Sequence, residues 1–244
     1  MKKINKIIVF TMITVLSLTL SINAETQDYS PEFFRELADV VNEKPVIEVP
    51  DYEVLELDNG MKFYLAQDKS LPIFEIRAYI DGGKIDEKKS SPGITSLMTE
   101  IMLLETENYT EKELSLYKEI NALSLNLGAG SDRISISGDS LATESSELIS
   151  LLAEVLIRPK FKGDHFERTV KEYQQLYRQQ FYDDSALLNM YFFKNLYGEH
   201  PYGYNYNYNL ILDFLEDVDA AEVEAFYQQV INPEDITAAV SGDF

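Results

Sequence analysis

The chain has few of the histidine and cysteine residues that most often bind zinc. It has two histidines, His165 and His200, and no cysteine. A zinc site needs three or four converging ligands, taken from Cys, His, Asp and Glu. One histidine falls at the start of a predicted helix and the other in a predicted loop. We therefore expect His165 to be exposed, His200 to order its loop by hydrogen bonding, and neither to bind a metal.

Signatures of nucleophilic and phosphate chemistry are missing from the sequence. Ser, His and Asp are all present, but there is no G-x-S-x-G turn to present a nucleophile. There is also no G-x-x-x-x-G-K-[ST] phosphate loop and no EF-hand calcium loop. The pair Asp183-Asp184 is interpreted as charge at a helix N-terminus, where carboxylates are favourable.

The most regular helical pattern runs from Ser91 to Thr106. Pro92 suits a first helical turn, because its missing N–H would have no partner there. A strand-like run, Leu71 to Ile80, and a Gly82-Gly83 turn come before it. The spacing of the apolar residues predicts one buried stripe on this helix. The stripe consists of Ile94, Leu97, Met98, Ile101, Met102 and Leu104.

The rest of the chain alternates strand and helix patterns. Strands are predicted at 52–57, 61–66, 71–80, 123–127, 133–138 and 236–241, and the first two flank an Asn59-Gly60 hairpin turn. Helices are predicted at 111–122, 145–156, from Asp164 to Gln180, and at 185–197, 210–216 and 218–230. This order predicts an α/β (α+β layered) fold, in which a mixed sheet of five or six strands is covered on one face by helices.

Tyrosine is concentrated near the end of the chain. Residues 205–209 alternate Asn and Tyr and are predicted to form a surface loop. Two interpretations stay open: an exposed contact patch, or a tyrosine-rich loop packed on its own domain. The tyrosines concerned are Tyr202, Tyr204, Tyr206 and Tyr208.

The N-terminus predicts export. Residues 1–24 combine a lysine-rich head, an apolar run and a small residue before Glu25, which indicates a signal peptide; an uncleaved anchor is the alternative. Residues 25–50 are predicted to form a helix, 30–43, and an extended linker. The compact domain is predicted at 51–244. We expect a periplasmic or extracellular protein with no membrane span once the signal is removed. The formal net charge of −21 excludes nucleic acid as a natural partner.

Four stretches resemble the pitrilysin/insulinase-like zinc metallopeptidases, the family of the mitochondrial processing peptidase. They are L-D-N-G-M-K-F-Y at 57–64, P-G-I-T-S-L-M-T-E-I-M at 92–102, R-P-K-F-K-G-D-H-F-E-R at 158–168 and H-P-Y-G at 200–203. Their order and spacing resemble the first of the two halves that family members usually carry. The resemblance implies a LuxS/processing-peptidase-like architecture for residues 52–244.

The resemblance also implies where catalytic residues would lie. Active members carry His-x-x-Glu-His on the helix that starts at Pro92, with two zinc ligands and a general base. Those positions fall on Ser96, Thr99 and Glu100, and the third ligand, a Glu, falls at Gln175 or Leu176. Only Glu100 could bind zinc. We therefore expect degenerate positions, no zinc cofactor and no catalytic residue.

The function implied is that of a non-catalytic subunit. Such chains pair with an active peptidase homologue or a second family half, help to enclose the substrate, and hold an extended peptide. Two alternatives stay open: a secreted peptide- or protein-binding module unrelated to proteolysis, and an active zinc peptidase with unrecognised ligands.

Overall fold

A computed structural model describes residues 49–244, together with Glu32, Phe34 and Arg35, which are helical. The chain divides into two units at Pro50, and the second, Pro50–Phe244, contains every element discussed below. The predicted signal peptide and most of the predicted helix 30–43 lie outside the described residues.

The domain is built on one six-stranded mixed sheet, as the sequence predicts. The strands are β1 (Glu53–Glu56), β2 (Lys62–Gln67), β3 (Ile73–Asp81), β4 (Ser124–Ala129), β5 (Arg133–Leu141) and β6 (Ile236–Gly242). Their order across the sheet is β1-β2-β6-β3-β5-β4, so β1 and β4 form the two edges. Only β2 and β6 run parallel among these neighbours; the other pairs are antiparallel.

Helices cover one face of this sheet. They are α1 (Ile94–Met102), α2 (Glu111–Ile120), α3 (Ser145–Ile157), α4 (Asp164–Gln180), α5 (Asp184–Tyr197), α6 (Pro201–Tyr204), α7 (Tyr208–Asp217) and α8 (Ala220–Val230). Short 3-10 turns occur at Lys84–Asp86, Ala142–Glu144 and Pro233–Asp235. Among the described residues, no helix has both the length and the hydrophobicity needed to cross a membrane.

Strand β3 shows why the sheet has one covered and one open face. Its residues alternate, because successive side chains of a strand point to opposite faces. Ile76 and Ile80 are buried beneath the helices, whereas Arg77 and Tyr79 are exposed on the other face. Ile76 lies opposite Val240 of β6, so the buried face continues across the neighbouring strand.

The helix boundaries follow local capping chemistry. Thr110 accepts the N–H of Glu113, whose carboxylate accepts the N–H of Thr110, a reciprocal cap that starts α2. The Asp183 side chain accepts the N–H of Ala186 at 2.9 Å. The predicted role of Asp183 at a helix N-terminus is therefore confirmed.

Several predicted boundaries differ from the structure by a few residues, and two of them have a local cause. Strand β4 continues through Gly128 and Ala129, which were expected to belong to the turn. Their backbone pairs with Ser135 and Ile134 of β5, so the reversal comes later, at residues 130–132. Helix α1 begins at Ile94 rather than at Pro92, because Gly93 is left-handed, with φ of 87°.

Candidate functional site

Helix α1 is held at its N-terminus by a buried carboxylate. Glu87, in the loop before α1, accepts the backbone N–H of Gly93 at 2.6 Å and of Thr95 at 3.0 Å. These are first-turn N–H groups that no residue within the helix can satisfy. Burial outweighs these hydrogen bonds and raises the pKa of the Glu87 carboxyl. Glu87 thus fixes the start of the helix that carries the predicted site positions.

Two of the three predicted positions on α1 take part in hydrogen bonds, Thr99 through its hydroxyl and Ser96 through its backbone carbonyl. Thr99 is buried, and its hydroxyl donates to the Ser96 carbonyl at 3.1 Å. The same Ser96 carbonyl accepts the Tyr173 hydroxyl of α4, also at 3.1 Å. Glu100 is exposed. Ser96 is thus part of the packing between α1 and α4, and Thr99 is bonded within α1.

The residues of α4 that meet α1 are tyrosines. Tyr173 reaches Ser96, and the Tyr177 hydroxyl lies close to the Cα of Gly93, 3.9 Å from where a Cβ would be. Burial raises the pKa of Tyr177 to about 12 and also raises that of Tyr173. Gln175 is exposed and Leu176 is 47% exposed, so the structure does not bring either of these predicted third-ligand positions against α1.

The donors at this contact do not fit a zinc site. Glu100 supplies a carboxylate, but Ser96 and Thr99 supply hydroxyls, and the facing residue of α4 is Tyr173. Zinc sites in proteins take three or four ligands from Cys, His, Asp and Glu. Within the part of the chain that the structure describes, no group of three such residues is close enough to hold a metal ion.

The two histidines are structural in different ways. His165 was expected to be exposed but is only 2% exposed, so that prediction is wrong. Its Nδ1 lies 2.7 Å from a Glu105 oxygen and its Nε2 lies 2.7 Å from the Lys160 carbonyl, because the segments after α1 and before α4 close over the ring. His200 caps α6 by accepting the Tyr202 N–H at 3.2 Å, which confirms its predicted loop-ordering role.

The tyrosine-rich stretch packs on its own domain. The predicted surface loop at 205–209 is wrong, since α7 begins at Tyr208, and both Tyr204 and Tyr208 are buried. The Tyr204 hydroxyl donates to the Glu87 carbonyl, and the Tyr206 ring stacks on Phe193 at 4.1 Å between centroids. Of the two interpretations left open, the structure supports packing of the tyrosines on their own domain, with part of the stretch helical.

Sequence reasoning missed Glu87, Tyr173 and Tyr177 as residues that shape this site. A signal for the tyrosines exists, because they continue the helical spacing of Phe166 and Val170, which are buried on α4. No comparable signal exists for Glu87. It lies in a polar loop, and it is covered by Tyr204 of α6, more than a hundred residues later in the chain.

Strand β4 completes the site. It is an edge strand, and α1 packs against it as well as against α4 and α8. One side of β4 pairs with β5, and its other side has no strand partner among the described residues. The site therefore combines an unpaired strand edge with a helix that bonds to Glu87 at its N-terminus and to Tyr173 of α4.

Sheet order, the single helical layer and the position of α1 define an α/β domain with helices on one face of a mixed sheet. A family model described as insulinase, peptidase family M16, matches residues 62–207, more than half of the 244-residue chain. This chain belongs to that family. A comparison with curated proteins finds no match.

Solved structures with the same fold include a peptidase M16 domain and two proteases. An inactive domain of a peptidase M16 from Pseudomonas fluorescens has a TM-score of 0.73 and 20% identity, covering 80% of this chain and 47% of that one. A protease from Helicobacter pylori has a TM-score of 0.73 and 18% identity, covering 81% and 47%. The periplasmic protease PqqL from Escherichia coli has a TM-score of 0.64 and 15% identity, covering 82% and 23%. The chain thus spans less than half the length of these proteins, and the likeness shows the fold.

Proposed function

We propose that this chain is a non-catalytic insulinase-family protein that supports peptide hydrolysis by an active partner. One observation carries the proposal: where α1 meets α4, Tyr173 bonds to the Ser96 carbonyl and Thr99 bonds within its own helix. A zinc-bound water would need a metal and a general base at such a place. The side chains found there supply neither.

The proposal includes the absence of a zinc cofactor. Glu100 alone would give one ligand, and the Tyr173 and Tyr177 hydroxyls are held in their neutral form by burial, since their pKa values are raised. A neutral phenol is a poor zinc ligand because the metal favours anionic or imidazole donors. The similar Pseudomonas fluorescens domain is itself described as inactive, which supports this reading.

The role we propose is geometric. An extended peptide can add a strand to an unpaired sheet edge, with main-chain hydrogen bonds supplying much of the affinity. The free edge of β4 lies beside α1 and offers this mode of binding. In this arrangement the chain holds the peptide and excludes water, and an active homologue or second family half supplies the zinc chemistry.

We also propose that the protein acts outside the cytoplasm. The lysine-rich start and apolar run of residues 1–24 support export, and the similar PqqL protease is described as periplasmic. Mass spectrometry of the protein purified from its own cells gives the mature N-terminus. A first residue at or near Glu25 supports export, and an intact Met1 contradicts a cleaved signal peptide.

Hydrolysis of a quenched fluorescent peptide tests the proposed role. The chain is assayed alone, with a zinc-motif homologue from the same cell, and with that homologue after its catalytic Glu is replaced by Gln. We expect cleavage only with the intact homologue, and faster cleavage than by that homologue alone. Cleavage by the chain alone would establish an active peptidase. No acceleration in the mixture would favour a binding module unrelated to proteolysis.

A further inference from the structure

A second surface lies at the opposite end of the sheet from β4. There the helical layer leaves part of the sheet open, forming a groove with a volume of about 640 Å³. Its floor includes Leu55 of β1 and Phe63 of β2, and α3 and α8 form its walls. Leu55 is 46% exposed although it shares a face with the buried core.

Along the wall formed by α3, the apolar residues have the spacing of a helix that packs against another helix. Ile149, Leu152 and Leu156 follow one another at steps of three and four residues along the groove. The small side chain of Ala153 lies among them, which permits close approach of another helix axis. The opposite wall is fixed to this one, because the Tyr227 hydroxyl of α8 donates to the Leu156 carbonyl at 2.7 Å. The groove is therefore preformed.

Acidic residues lie next to this apolar surface in the sequence. They are neighbours of the lining residues: Asp58, Glu144, Glu234 and Asp235. One cation, Arg158, also follows a lining residue, and it lies 3.1 Å from Glu154. Lys62 pairs with Glu56 on the opposite face of the sheet, because side chains alternate along β1 and Leu55 faces the groove. The groove thus combines an apolar floor with a negatively charged rim.

We propose that this groove binds an amphipathic helix of a partner protein, with an apolar stripe facing the groove and Lys or Arg residues along its flanks. Helix-in-groove recognition uses apolar anchors at three- and four-residue spacing, and complementary charge at the rim adds specificity. The rim charge disfavours a second copy of this chain, whose formal net charge is −21. This proposal does not depend on the peptide-holding role of β4, which lies at the other edge of the sheet.

Fluorescence anisotropy with designed peptides tests the proposal on the full chain. The first peptide has a leucine stripe flanked by Lys and Arg, the second has Glu in place of each basic residue, and the third is a scramble of the first without the stripe. We expect the first to bind at least ten-fold more tightly than either of the others, with affinity falling as salt rises. Equal binding of the scramble would show charge attraction alone and overturn the proposal, as would no binding.

Two matched variants locate the binding site. Leu55→Glu places a charge on the exposed floor of the groove, whereas Leu188→Glu places one on α5, where the side chain is 69% exposed. We expect the first to weaken binding of the basic peptide at least ten-fold and the second to leave it unchanged, with both variants giving a wild-type circular dichroism spectrum. Equal weakening by both would overturn the assignment.

Two further measurements test whether something else occupies the groove. Light scattering reports whether the chain self-associates, and a peptide of residues 30–43 reports whether the chain's own sequence competes for the groove. An oligomer that Leu55→Glu dissociates would assign the groove to a second copy. Tighter binding of the 30–43 peptide than of the basic peptide would assign it to the chain itself. Either result would overturn the proposal of a basic partner helix.

Discussion

Apolar side chains on the same face of the sheet are closely packed at one end and partly exposed at the other. At the β4 end, α1 is packed so closely that Leu97 and Met98 have no exposed surface, and both the Ser96 carbonyl and the Thr99 hydroxyl are hydrogen-bonded within the protein. At the β1–β2 end, Leu55 shares the same face of the sheet but remains half exposed. The end that the family resemblance implies for catalysis is thus built as core, and the open apolar surface is found elsewhere.

The largest expected difference between the two ends is the cost of removing a leucine. Leu97→Ala leaves a cavity in a closed core and should lower the free energy of unfolding by about 3 kcal/mol. Leu55→Ala removes a side chain that water already reaches and should cost under about 1 kcal/mol. Urea unfolding of both variants makes the comparison. Equal costs would mean that the groove is covered in solution.

Removal of the Glu87 side chain should have the next largest effect. Glu87→Ala leaves the N–H groups of Gly93 and Thr95 without their acceptor at the buried start of α1. We expect a loss of about 2 kcal/mol in the free energy of unfolding. Glu100→Ala is the matched control, since Glu100 is exposed on the same helix, and it should cost under about 0.5 kcal/mol. Similar losses would contradict the capping role of Glu87.

A smaller effect is expected at the contact between α1 and α4. Tyr173→Phe removes the hydroxyl that donates to the Ser96 carbonyl, and we expect it to lower the free energy of unfolding by about 1 kcal/mol. Tyr182→Phe is the control, because Tyr182 is 92% exposed. Chemical denaturation measures both. A Tyr173→Phe variant as stable as its control would show that this hydrogen bond contributes nothing to closing the site.

The pH dependence of stability tests the protonation state of Glu87 in the folded protein. Because burial raises the pKa of its carboxyl, the folded state favours the protonated form. The stabilisation from Glu87 is therefore full below its ordinary pKa and is lost as the pH rises through the raised value. Unfolding of wild type and Glu87→Gln from about pH 4 to pH 8 should show the wild type losing stability relative to the variant. A difference that is constant, or that moves the other way, would contradict this.

Local patterns were enough to predict the layered fold. Alternation in β3 and the apolar stripe of α1 each depend on residues close in sequence, so their periods can be read directly. The structure of the tyrosine-rich stretch was harder to predict from the sequence, because its alternating Asn and Tyr residues indicated a loop. Its helical signal lies in Tyr204, Tyr208 and Ile211, whose spacing of three and four residues marks the buried side.

The residues that decide the site depend on contacts distant in sequence. His165 is buried because Glu105 and the Lys160 carbonyl reach its two nitrogens, and nothing near His165 in the sequence predicts those partners. The predicted third-ligand positions failed to meet α1 for a related reason. A helix turns by about 100° per residue, so an error of one residue in register moves a side chain to another face.

Zinc content of the purified full chain tests the central claim most directly. The chain is expressed with added zinc, purified without chelator, dialysed, and analysed by elemental mass spectrometry. Since Tyr173 of α4 bonds to the Ser96 carbonyl and the Thr99 hydroxyl bonds within α1, we predict far less than one zinc per chain. One zinc retained per chain, lost together with peptide hydrolysis on chelation, would contradict the account and establish an active metallopeptidase.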